Sequence, residues 1–155
     1  MEMDSQKEEG SMSTAIPMFN IRDTKKRYSE LNNLALKGFE VITYNSNKQD
    51  EQVSHIKTAH LNELVDRLLF SPLVEHDQEL GVFTVSVNEI DLYGEGNTKE
   101  EAIQDLINSI MEYLTVYVDK IDMFSRFEPV SKQVYVLKLL RCKGDREKLR
   151  KALGL

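Results

Sequence analysis

Between Val82 and Leu114 the hydrophobic period changes once, and that change constrains the fold more than any other feature of the chain. Phe83, Val85 and Val87 alternate with Thr84 and Ser86, the two-residue period of a strand with one buried face. From Ala102 apolar residues recur three or four apart, at Ile103, Leu106, Ile107, Ile110, Leu114, Tyr117 and Ile121, which forms one stripe on a helix. Thr98 and Glu101 have the spacing of a capping box, so the helix is expected to start at Thr98. Gly94 and Gly96 fall between the two patterns, and a tight turn is expected over Asp91–Asn97. A stripe this long needs a surface to cover, and the sheet holding Val82–Val87 supplies one.

The rest of the chain divides around this stretch. Residues 1–16 mix charge, Ser and Met without apolar periodicity and read as a flexible lead. Phe19 and Ile21 make a brief extended segment, after which Tyr28, Leu31, Leu34 and Ala35 follow at helical spacing. Asn20 or Asp23 can cap that helix, and Gly38 can end it. Phe39–Tyr44 reads as a strand, Asn45–Asp50 as a loop and Val53–Lys57 as a returning strand, and Thr58 opens a second helix. Pro72 disfavours helix at Ser71 and marks a boundary, beyond which Leu73–His76 can form the first strand of a second domain. Pro129 ends the long helical region. Gln133–Leu140 then fits a strand by its valines, or a helix by Val134, Leu137 and Leu140, and Asp145 can cap a last short helix.

The 155 residues, 41% of them hydrophobic, suffice for one ordinary core or two small ones. No apolar run approaches the roughly 18 residues of a membrane span, and the acidic start is unlike a secretory leader. A cytoplasmic protein without membrane contact is expected. The single cysteine, Cys142, excludes an internal disulfide and reads as a packed thiol. The net charge of −6 is distributed unevenly: residues 71–130 carry −10 and residues 131–155 carry +6. The acidic middle repels nucleic acid and favours a basic partner.

Two resemblances follow from particular residues. Asn88-Glu89-Ile90-Asp91-Leu92, Gly94-Glu95-Gly96-Asn97-Thr98 and Glu100-Glu101-Ala102 resemble the HicB family of bacterial antitoxins, in which a strand leads through an acidic, Gly-containing turn into a helix opening with Thr. The order of short strand, helix, hairpin and helix from Met18 to Phe70 resembles the N-terminal domain of the Phd/YefM antitoxins. The second resemblance implies pairing of two copies through this region and operator contact near the start of its first helix, at the positions of Lys25, Lys26 and Arg27. Together they imply an α+β protein with a lead over 1–16, a Phd/YefM-like unit over 17–70, a HicB-like unit of partial ribonuclease H type over 72–125, and a helical tail over 130–155. The implied function is that of an antitoxin which neutralises a ribonuclease-type toxin and represses its own operon as a homodimer. On physical grounds alone, three adjacent cations are as compatible with a solvated helix face as with a phosphate clamp, and the counterion-release term they supply is modest.

Toxin contact is assigned to the tail, at Tyr135, Leu137, Lys138, Leu140 and Arg141, where apolar surface crowds behind the Pro129 break; the same segment can instead pack on its own sheet. Two further readings stand beside the antitoxin. One is a dimeric binding module without a toxin, and the other is a degenerate metal-dependent nuclease using Asp91, Glu95, Glu101 and Asp105. Glu101 is expected to serve the cap and Asp105 to face solvent, which argues against a metal pocket. His55 and His60 lack an Asp or Cys in ligand register and read as surface residues. No nucleophile triad, phosphate loop or dinucleotide fingerprint is present, so neither catalytic residues nor a cofactor is expected.

Overall fold

The computed structural model describes residues 16–155, apart from the Gln49 side chain. The expected lead over 1–16 lies, but for Ile16, outside the described residues. The fold is mixed α+β, with two three-stranded sheets and six helices. Contacts divide the chain into Met1–Glu63 and Leu64–Leu155.

In the first unit β1 (Met18–Asn20) runs parallel to β2 (Val41–Asn45), and the two are joined by α1 (Ile21–Leu36). The Asn20 side chain caps α1 by accepting from the Arg22 amide at 3.1 Å. Gly38, at φ 104°, turns the chain back after α1. β2 then pairs antiparallel with β3 (Lys48–His55), which starts earlier than the sequence pattern indicates and shortens the expected loop to a tight hairpin. Phe19, Leu31, Ala35 and Val41 form the core between α1 and the sheet. The one buried polar side chain among the described residues, Thr43, is satisfied: its hydroxyl lies 3.4 Å from the Val53 carbonyl and 3.2 Å from His55 Nε2. The helix opened by Thr58, α2 (Thr58–Asp66), carries the division between the units.

In the second unit β4 (Leu73–Asp77), β5 (Val82–Val87) and β6 (Leu92–Gly96) form an antiparallel meander, with α3 (Lys99–Asp119) lying over β5 and β6. The capping box forms as its spacing predicts. Thr98 Oγ1 accepts from the Glu101 amide at 3.1 Å, and Glu101 Oε2 accepts from the Asn97 amide at 2.8 Å.

Gly94 and Gly96 do not make the expected turn. They lie within β6, and the turn is made by Asn88–Asp91, with Asp91 at φ 55°. The glycines are required by proximity. A Cβ on Gly94 would sit 2.2 Å from the Leu106 nitrogen and 2.3 Å from the Ala102 carbonyl oxygen, so only a residue without a side chain lets α3 reach the strand. Ala102, Ile103, Leu106, Ile107, Ile110, Leu114 and Tyr117 are buried along the stripe. The stripe does not continue as one helix through Ile121, because the backbone breaks at Lys120 and α4 (Ile121–Phe127) starts afresh.

After Pro129 come α5 (Val130–Leu140) and α6 (Arg146–Leu153), so Gln133–Leu140 is helical. Val136, Leu139, Leu149 and Leu153 are buried in the same cluster as Val85 and Leu106. A twin ion pair fixes α6 to α3: Arg150 meets the Glu100 carboxylate at 2.5 and 2.8 Å.

Candidate interaction surfaces

Lys25, Lys26 and Arg27 lie on α1, where successive residues are about 100° apart, so three in a row spread around the helix and cannot share one face. Arg27 is committed to the fold. Its guanidinium makes two hydrogen bonds to Glu30, at 2.8 and 2.9 Å, and sits 4.5 Å from the centre of the Phe19 ring. That pairing raises the Arg27 pKa and lowers the Glu30 pKa, and the helix backbone departs from helical geometry at Arg27 itself.

Lys25 instead lines a shallow depression with Ile21, Arg22, Thr24 and Tyr28. Ile21 is 52% exposed and Tyr28 60%, so this patch combines two cations with an apolar and an aromatic side chain. The sequence reading missed Arg22, although its spacing of three from Lys25 puts the two on one side of the helix. Lys26 is exposed on α1 and is not among the residues lining the depression.

The tail residues, Tyr135, Leu137, Lys138 and Leu140 on α5 and Arg141 at its C-cap, fall on three different sides of the helix. Lys138 donates to the Leu68 carbonyl at 2.5 Å and, with Arg141, Lys148 and Lys151, lines a cleft of about 540 Å³ that also takes in Leu69, Phe70 and Leu153. Leu137 and Leu140 line a separate apolar groove with Tyr117, Ile121, Val130 and Val134. Tyr135 packs against the Phe70 ring, centroids 5.0 Å apart, and borders a polar hollow containing Glu89, Asp91, Glu128 and Lys132. Between these sides Val136 and Leu139 point into the core, so no single flat contact can engage all five. Cys142 also lines the basic cleft; it is buried, and burial pushes its thiol pKa up.

The carboxylates considered for metal chemistry are mostly engaged in holding structure. Asp105 is exposed, as expected, and its Oδ2 accepts from the Glu95 amide at 2.9 Å. Glu101 closes the capping box, and Asp91 pairs with Lys132 Nζ at 3.4 Å. Lys132 also meets Glu128 at 3.2 Å; burial opposes its charge, but these carboxylates outweigh it and raise the pKa. Among the described residues no three His, Cys, Asp or Glu side chains are grouped as metal ligands. Nor is any described helix long and apolar enough to cross a membrane.

A family model described as PHD-like, antitoxin of toxin-antitoxin, RelE / RelB, TA system, matches residues 16–153. No curated protein matches the sequence. Among solved structures, the crystal structure of an antitoxin part of a candidate toxin/antitoxin system from Syntrophomonas wolfei subsp. wolfei aligns with a TM-score of 0.63 at 14% identity. The alignment covers 87% of this chain and 94% of that one, and at such low identity the likeness is one of fold.

Proposed function

The chain belongs to the PHD-like family of antitoxins of toxin–antitoxin systems, and from that premise we propose that it neutralises a ribonuclease-type toxin by direct binding and represses its own operon as a homodimer. The single observation that carries the reading is the family match, which runs through both units instead of stopping at one. In this reading residues 17–70 are the Phd/YefM-like part that pairs and contacts operator DNA, and residues 72–125 are a HicB-like part. The tail over 130–155 contributes its inner face to the core and its outer side chains to the toxin.

Two details sharpen the assignment. DNA contact centres on Lys25 with Arg22, with Lys26 alongside, while Arg27 pairs with Glu30 along α1 and packs over Phe19 of β1. Toxin contact at the tail uses the apolar groove at Leu137 and Leu140, or the basic rim at Lys138 and Arg141, with Tyr135 serving mainly to hold α5 on Phe70. Ribonuclease toxins are basic as a class, so the net −10 over residues 71–130 supplies the long-range attraction. The protein acts by covering surface and performs no chemistry.

The test is co-expression with the product of the adjacent reading frame. Growth arrest by that product alone and recovery when the full chain is supplied are expected. Arrest that persists at equal or higher expression of the chain contradicts the reading.

A further inference from the structure

The two edges of the second unit's sheet are finished differently. At β6 the Glu95 amide is taken by Asp105 at 2.9 Å, and just past the strand the Asn97 amide is taken by Glu101 at 2.8 Å. Side chains of α3 therefore occupy that edge. β4 has one strand neighbour, β5, and all five of its residues are exposed. Among the described residues no strand or loop hydrogen-bonds to its outer edge. Such an edge presents amide and carbonyl groups as a template for another extended chain.

The two faces beside that edge have opposite chemistry. α3 covers β6 and β5 and does not extend over β4, so Val74 is 42% exposed although Val85, paired opposite it, is fully buried. One step along the same face, His76 stacks on Phe83 with ring centroids 4.1 Å apart. On the other face Glu75 pairs with Thr84, and Thr84 with Glu95, so carboxylates stand at both ends of a row across the sheet. Asp77 lies on the Glu75 side by strand alternation.

We propose, resting on the antitoxin reading above, that the β4 edge receives an extended segment of the toxin in which basic residues alternate with apolar ones. The basic side chains lie over Glu75 and Asp77, and the apolar ones pack on Val74 and the His76–Phe83 stack. Charge selects the occupant. A second copy pairing antiparallel about Glu75 sets two carboxylates directly opposite each other and adds a further acidic strand, which disfavours self-pairing. A basic strand converts the same row into cross-strand ion pairs.

The probe is the purified product of the adjacent reading frame, bound to the full chain and followed by residue-resolved amide hydrogen exchange. Exchange across Leu73–Asp77 is expected to slow about tenfold or more in the complex. Glu75→Lys should weaken binding about tenfold or more at low salt, and Glu75→Gln by less, with α3 amides equally protected in all three proteins as evidence of folding. Binding of unchanged affinity by Glu75→Lys, without protection of β4, overturns the docking edge and leaves the antitoxin reading standing. Failure of the unmodified chain to bind the probe at all overturns both. Protection of β4 in the chain alone, rising with its concentration, assigns the edge to a second copy and overturns the proposal.

Discussion

The two units bury very different amounts of apolar surface for similar kinds of secondary structure. Among the described residues of the first, the apolar cluster is Phe19, Leu31, Ala35 and Val41, and each unit also leaves apolar side chains exposed, Met18, Tyr28 and Phe39 in the first and Leu80, Phe127 and Val130 in the second. The second encloses one continuous cluster from Phe70 through Leu106 to Leu153. In the second, Gly94 and Gly96 let α3 lie against β6 at backbone distance, and α5 and α6 add Val136, Leu139, Leu149 and Leu153 to the same cluster. A unit with a small core gains stability by pairing, and one with a larger core can hold its surface rigid without a partner. The proposed division, with pairing in the first unit and toxin contact in the second, follows this contrast in core size.

The largest effect is expected from truncation after Val130. It removes Val136, Leu139, Leu149 and Leu153 from the core, and at about 2–4 kcal/mol for each buried side chain the loss exceeds much of the stability of a typical domain. The second unit should lose its cooperative unfolding transition and its near-ultraviolet dichroism. A truncated protein that keeps both would make α5 and α6 an appended interface and erase the contrast between the units.

A smaller effect separates the cations of α1. Replacing Arg22 and Lys25 together by Ala should reduce the slope of log K against log salt for operator DNA by up to about two units. Arg27→Ala should leave that slope nearly unchanged and lower the thermal midpoint of the first unit, because its guanidinium is held by Glu30 and Phe19. The reverse pattern would return DNA contact to Arg27.

The smallest effect is a pH dependence confined to the second unit. Hydrogen bonds from Arg150, then Gln104, lower the Glu100 pKa to about 2. A carboxylate whose folded pKa lies below its unfolded value of 4.5 stabilises the fold above that value, and the contribution is lost as pH falls towards about 2. Amides of α6 should therefore exchange faster relative to those of α3 over this window, and Glu100→Gln should remove the pH dependence. An equal response in the variant would place the titration elsewhere.

What the sequence reveals and conceals follows from the range of each signal. Thr98 accepts from the Glu101 amide and the Glu101 carboxylate from the Asn97 amide, all within one turn of chain, so the cap is readable locally. Gly94 and Gly96 answer to a helix backbone 5–12 residues away in sequence, and a glycine required by close approach looks the same in a sequence as one required by a turn. The break at Lys120 is hidden because the apolar spacing runs on through Tyr117 and Ile121 while the backbone does not. For the surfaces, a run of three cations marks adjacent residues, whereas a helix groups residues three or four apart, so the run does not reveal that Arg22 lies beside Lys25 or that Arg27 pairs with Glu30. In the tail both alternatives hold in part, since one side of α5 is core and its other sides are open.

The most direct test of the antitoxin assignment is a titration of the adjacent reading frame's product, assayed for RNA cleavage, with the full-length chain. Cleavage should fall in proportion to added chain and vanish at a fixed molar ratio. Undiminished cleavage in the presence of saturating, folded chain would contradict the assignment.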